Sequence, residues 1–392
     1  MALEQITSSI DAADLQRTYY ALQVYLNIGW AVSQLIAISL PLLLFFTGWG
    51  HKAYDFLLKH VKAWALAAFA FFFSIAFVTS TAQFILIHNL LSKKAEIDGA
   101  TFPTLLSFIS SQLPSAAFTS ALAAIAGIVL CYILRRRGKL TWLWLSILIT
   151  GLASLVLMLA PYFSNTKPLG TTSVERKISV LASRVGIPPE RIVLVNCTNN
   201  SECPPGQVIG LGPTRLMLLD SRLTNKTPED QLLQVVAHEA KHYLLDNEIN
   251  LVALIFLICI ALFLPTQMLS FFIVFKRNNQ NGSLADAPKL VPLVYGVGLV
   301  IFILLQPAIT TYRRHVEIEA DRFGLELNRD NQALINIMKA DAVSNPMLYK
   351  YTPVTKYFRA THPEISTRIE FAETYQPWST NQPLVYEQYF EE

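Results

Sequence analysis

The sequence predicts a mainly α-helical polytopic membrane protein of about six transmembrane helices, carrying a small α+β domain that the last two spans interrupt. Three observations predict it. The 392-residue chain is 53% hydrophobic and only 15% charged, a balance that favours membrane over two or three soluble domains. Six runs free of Asp, Glu, Lys and Arg are each long enough for a hydrocarbon core, which takes about 20 helical residues. Two polar stretches, 164–248 and 313–392, carry the strand and helix patterns of a folded domain.

The runs fall in order at 26–50, 63–90, 114–134, 140–163, 249–275 and 290–312. The first begins too far along the chain, without a basic leader, for a cleaved signal peptide, and reads as a retained span. The third is interrupted on its N-terminal side by Pro103 and Pro114, so a re-entrant course is the alternative there. The domains expected are therefore four spans over 1–163, a first α+β part over 164–248, two spans over 249–312 and a second α+β part over 313–392.

Basic residues of the short loops set the orientation. Lys52, Lys59 and Lys62, then Arg135, Arg136, Arg137 and Lys139, then Lys276, Arg277 and Lys289 lie on one side. The other side carries only Arg17 and the pair Lys93 and Lys94. The first set is expected in the cytoplasm, which places both polar stretches together on the opposite face. The net charge of +3 sits mainly in these loops and argues for topology, against nucleic acid as a partner. Cys131 and Cys259 fall inside spans and read as small packing residues. Cys197 and Cys203, in the turn-rich NCTNNSECPPG, either close a small disulfide loop or bind metal. With no soft third and fourth ligand nearby the disulfide is favoured, in agreement with an oxidising compartment.

Within the polar stretch, Thr172-Ser173-Val174-Glu175 opens an amphipathic helix through Ile178, Leu181 and Val185 that ends by Gly186 and Pro188. Strands are expected at 191–195, 208–212 and 216–219, broken by Gly212 and Pro213. Thr227-Pro228-Glu229-Asp230 then supplies an N-cap, a Pro at the first helical position and acids in the first turn.

The helix so opened contains HEAKH, His238 to His242. Histidines four apart stack on one face, where two ring nitrogens reach one zinc ion, and Glu239 is placed beside it as a base. The bland alternative is a surface helix with two solvated histidines, but the surroundings are mostly apolar, and a buried His pair needs a partner. After the last run, YRRHVEIEADRFGLEL is helical in pattern, with Glu317 and Asp321 one turn apart and Arg314 one turn earlier. A carboxylate is a natural third zinc ligand, and Asp321 could orient a ligating His from behind. The alternative there is a salt-laced surface helix with Glu319 and Arg322 on its solvent face.

HEAKH followed by Arg314, Glu317, Ala320 and Asp321 resembles the membrane zinc metallopeptidases that include the heat-shock protease HtpX and the type I CAAX prenyl protease. THPEISTRI, with His362, Pro363 and Arg368, and GQVIGLGPTRLMLLDSRL, residues 206–223, are similar to further segments of that family. The resemblance covers about 171–374 and implies a zincin-like metallopeptidase domain. It implies one Zn2+ per chain held by His238, His242 and Glu317, Glu239 as general base, and Asp321 and Arg314 behind the ligands. It also implies His362 and Arg368 as catalytic candidates that stabilise the tetrahedral intermediate or hold the substrate backbone, with an edge strand at Gln207, Val208, Ile209 and Gly210 pairing with an extended polypeptide. The chain departs from the family pattern at Arg313, where Ser or Asn is commoner, and at 204–206, where the usual Asn-Ala is replaced.

The function expected is an integral-membrane zinc metalloendopeptidase acting on membrane or envelope proteins, in quality control or processing. The setting expected is a bacterial inner membrane with the catalytic part on the periplasmic side. The alternative within the enzymes is a CAAX-type prenyl protease. Alternatives of another class are an inactive membrane scaffold or a transporter, although spans without charged residues leave a proton or ion pathway little to use.

Overall fold

A computed structural model of the chain describes residues 12–97, 99, 101–196, 204–245, 248–278 and 287–390. The proposed pair Cys197 and Cys203 lies outside the described residues. Contacts divide the chain into two compact units, one of residues 1–20, 150–255 and 308–392, the other of 21–149 and 256–307.

The second unit is built from long apolar helices. They are α1 (Ala12–Phe46), α2 (Trp49–Val61), α3 (Trp64–Ile97), α4 (Leu105–Arg137), α5 (Thr141–Leu159), α9 (Glu248–Asn278) and α10 (Ala287–Asn328), some of which extend into the first unit. Among the described residues, five segments are long and apolar enough to cross a membrane: Gln16–Phe46, Trp64–Glu96, Leu105–Phe163, Asn250–Val274 and Ala287–Asn328. The six apolar runs fall on these five, because the third segment holds both α4 and α5. The protein is a multi-pass integral membrane protein. Pro114 sits inside α4 without ending it, so the third run forms a continuous helix of 33 residues.

Helices α4 and α5 part at Gly138, whose φ of 48° is open to glycine. Backbone groups freed at the break need partners in an apolar setting. Gln267 of α9 provides them, accepting from the Trp142 N–H at 2.9 Å and donating to the Lys139 carbonyl at 2.8 Å. Close packing of α3 on α4 depends on small residues: Ala67, Ala68 and Ala124 are fully buried, and Gly127 lies against the Phe72 ring.

The basic stretch after the first span differs from the expected loop. The stretch with Lys52 and Lys59 is no loop but the helix α2, set off by left-handed turns at Gly48 and Lys62. It buries Tyr54 against Phe71 and leaves Trp49 and Phe56 exposed. Amphipathic helices escape a search for unbroken apolar runs because their apolar residues are spaced by polar ones.

The first unit holds a four-stranded sheet in the order β1-β2-β4-β3, with β1 (Thr166–Pro168), β2 (Ile192–Val195), β3 (Gly206–Ile209) and β4 (Leu216–Asp220). The pair β2 and β4 is parallel, and β1 and β3 flank it antiparallel as the two edges. Helix α6 (Ser173–Ser183) opens where expected, with a capping box between Thr172 and Glu175. Helix α7 (Leu223–Lys226) leads into the motif helix α8 (Glu229–Leu245). Ile178 of α6, Ile192 of β2, Met217 and Leu219 of β4, Leu232 and Val236 of α8 and Phe323 of α10 close into one core. The unit is completed by α11 (Asn331–Ser344), α12 (Pro353–Phe358) and α13 (Ile365–Thr374).

Candidate active site

Helical spacing places His238 and His242 on one face of α8, with their Nε2 atoms 3.3 Å apart. Glu317 of α10 closes the triangle, with Oε2 at 3.4 Å from His238 Nε2 and Oε1 at 3.8 Å from His242 Nε2. All three donor atoms lie within 4.8 Å of one another. Tetrahedral zinc, with bonds of about 2.0–2.1 Å, separates its donors by about 3.3 Å. Two imidazoles and one carboxylate at these spacings therefore fit the ion, and three protein donors leave a position for water or substrate.

Two glycines bring the elements this close. On α10, a Cβ at Gly324 would stand 2.7 Å from Gln234 Nε2 and 3.3 Å from the His238 N of α8. With Ala320 one turn before it fully buried, a small-residue seam lets α10 lie down on the motif helix. Asn328 donates to Gln234 across the same seam at 3.0 Å. On β3, a Cβ at Gly206 would meet Glu239 Cγ at 2.6 Å. The departure at 204–206 thus has a steric reading: the edge strand passes against the carboxyl of Glu239 because position 206 carries no side chain. Gln234 and Gly324 are not singled out by the sequence, and Gly206 enters only as part of the departure at 204–206. A glycine inside a strongly helical pattern, as in RFGLEL, is the signal that could have found Gly324.

Behind His238, its Nδ1 lies 2.9 Å from Asp321 Oδ1. This bond fixes the ring and leaves Nε2 facing the triangle. Asp321 is completely buried and in turn accepts from Arg368, from Nε at 2.7 Å and from Nη2 at 2.6 Å. Here the structure corrects an expectation. Arg368 is expected to face substrate, but its fork is committed to Asp321, which also bonds the ring of His238. The buried setting alone would lower the basicity of His238, but the bonds to Asp321 and Glu317 outweigh it and raise its pKa to about 10.

Glu239 is buried at 7% exposure, and burial pushes its carboxyl above the usual range, against the lowering influence of His238 and His242. His362 stands at the open side, with its side chain 58% exposed and Nε2 3.6 Å from Glu317 Oε2. Arg314 does not reach the triangle. Its guanidinium holds the carbonyls of Lys356 and Ala360, the latter at 2.9 Å, and so pins the stretch that leads to His362. Gln207, Val208 and Ile209 lie on edge strand β3, whose sheet partner is β4, and Gly210 follows its end. Glu319 and Arg322 do not form a solvent face, since the Tyr386 hydroxyl donates to Glu319 at 2.7 Å and Arg322 lies over the Tyr375 ring.

A sequence model of peptidase family M48 matches residues 168–376. The uncharacterized metalloprotease YhfN of Bacillus subtilis is 24% identical over 341 residues, 80% of this chain and 77% of the relative. CAAX prenyl protease 1 of Saccharomyces cerevisiae is 24% identical over 241 residues, 56% of this chain and 52% of its own length. The crystal structure of S. mikatae Ste24p superposes with a TM-score of 0.65 at 16% identity, covering 92% of this chain and 89% of that one.

Proposed function

This chain belongs to peptidase family M48 and is an integral-membrane metalloprotease, and on that premise we propose that it is a zinc-dependent endopeptidase with one ion per chain held by His238, His242 and Glu317. The observation that carries this reading is the triangle of donors at zinc spacing with a buried carboxyl, Glu239, next along the same helix. When bound, zinc supplies Lewis-acid polarisation of the scissile carbonyl and acidifies the attacking water.

The residues of the chain do the rest. Glu239 takes a proton from the attacking water and returns it to the nitrogen of the leaving amine. A carboxyl raised by burial is suited to both halves of that transfer, because its proton affinity lies closer to neutrality. His362, exposed beside Glu317, donates from Nε2 to the oxygen of the scissile carbonyl as charge gathers there. The substrate lies extended along Gln207, Val208, Ile209 and Gly210 as an added strand, with backbone hydrogen bonds fixing its register. Asp321 and Arg368 hold the His238 ring in the orientation that binding needs.

Its substrates on this reading are polypeptides of the membrane or envelope, met at the lipid bilayer. The basic loops favour an orientation with the catalytic residues opposite the cytoplasm, which in the bacterial inner membrane of this reading is the periplasmic side. A second reading, a CAAX-type prenyl protease, is favoured by the likeness to the yeast protein of that name.

The test is hydrolysis of casein and of a matched pair of C-terminal peptides, prenylated and plain, by detergent-purified protein. Wild type should cleave casein in a chelator-sensitive way. Glu239→Gln should retain zinc and lose roughly two to four powers of ten in kcat, the range for a lost general base. Cleavage restricted to the prenylated peptide would select the second reading. Equal turnover by wild type and Glu239→Gln would sink both.

A further inference from the structure

The back of the helix that bears Glu317 carries a second, separate set of contacts. Helical periodicity puts Glu319, Phe323 and Glu326 about half a turn away from Glu317 and Asp321 on α10. Glu326 is 1% exposed. It accepts from the Val385 N–H at 3.0 Å, the Tyr386 N–H at 2.8 Å and the Tyr375 hydroxyl. These donors are all neutral, so two of its three satisfied bonds come from one short strap, residues 384–390. Glu319 accepts from the Tyr386 hydroxyl at 2.7 Å. Between the two acids the fully buried ring of Phe323 meets those of Tyr386 and Phe390, with centroids 5.3 and 5.2 Å away. Phe323 also belongs to the core shared with Leu232 and Val236 of the motif helix.

The front of α10 has a narrow tolerance. Its seam at Gly324 would admit a methyl group only if Gln234 Nε2, 2.7 Å from the added Cβ, gave way, and its ligand must stay at donor spacing from two histidines of another helix. Grips on opposite faces restrict the rotation of a helix about its axis more tightly than contacts on the front alone. A buried carboxyl that loses its donors is strongly disfavoured, so Glu326 ties the rotation of α10 to the strap.

We infer that the strap 384–390, gripping Glu319, Phe323 and Glu326, is a positioning clamp that sets Glu317 and Asp321 against His238 in the peptidase site. The clamp rests on the metal-site reading proposed above. Its residues touch neither metal nor substrate and act through the helix.

The test uses the full chain in detergent, with zinc affinity from chelator competition, separate kcat and KM values, and the visible spectrum of the cobalt-substituted protein. Three variants serve: a chain stopped after Gln382, Glu326→Gln, and Tyr386→Phe, which keeps the ring on Phe323 and removes only the hydroxyl. The stopped chain should bind zinc more weakly, with the loss of about 10- to 100-fold for a directly bonded outer partner of a metal ligand as the upper range. Its kcat should fall while KM stays within about twofold, and its cobalt spectrum should move. Glu326→Gln and Tyr386→Phe should show smaller changes of the same kind, and a synthetic peptide of residues 383–392 should restore the stopped chain. Should that chain fail to fold, Tyr386→Phe decides alone. Variants that lose thermal stability but keep wild-type zinc affinity and cobalt spectrum overturn the clamp and leave a purely structural strap. A wild type that holds no metal overturns the site reading and the clamp together, which is a different result.

Discussion

Replacing Arg368 by Met separates two accounts of this residue. In the structure its Nε and Nη2 donate to Asp321, which is 0% exposed and has one other described partner, His238. Removing the guanidinium strands a buried carboxylate, a change that costs about 3–5 kcal/mol when one member of a buried pair is lost. Against a typical domain stability of about 5–15 kcal/mol, the variant remains foldable but is markedly weakened. The freed Asp321 also holds His238 less firmly, so zinc affinity should fall about 10- to 100-fold. Adding Asp321→Asn removes the stranded charge while an amide can still bond the ring. The double variant should therefore recover stability, and its zinc affinity should fall by less than the sum of the two single losses. Thermal unfolding and chelator competition on the three proteins measure both quantities. The reasoning fails if Arg368→Met keeps wild-type stability and zinc affinity yet loses about two to three powers of ten in kcat, since that is the signature of a donor to the transition-state oxyanion.

Three further outcomes follow from the same geometry. Gly206→Ala places a Cβ 2.6 Å from Glu239 Cγ, so it should lower kcat by about 10- to 100-fold through displacement of the base, with zinc content unchanged by metal analysis. In the metal-free protein His238 holds its proton up to about pH 10, above its ordinary value of 6.5, so this contribution to stability is present below 6.5 and lost as pH rises through 10. Because binding needs the ring neutral, zinc uptake at pH 8 should release about one proton from His238, a release that vanishes above pH 10; calorimetry in buffers of different ionisation enthalpy reads it. A reporter fused after Lys139 should be cytoplasmic and one fused after Tyr389 should not, and a cytoplasmic signal from the second would reverse the proposed orientation.

What the sequence determines by itself is local. Charge-free runs of membrane length, the helix that opens at Thr172 and the motif helix that begins just after Thr227 depend on residues within a few turns of one another, and they appear where composition and periodicity put them. The placement of His238 and His242 on one face belongs to the same class, since helical geometry alone sets it. Contacts between distant segments are another matter. Nothing local says that Gly206 must lie against Glu239, that Gly324 must seat α10 on α8, or that the acids on the back of α10 meet a strap some 60 residues further on. The turn of Arg368 toward Asp321 is decided in the same way. In sequence nothing points that arginine at Asp321, and only the packing of α13 beside α10, with a buried carboxylate that must be neutralised, brings the two together.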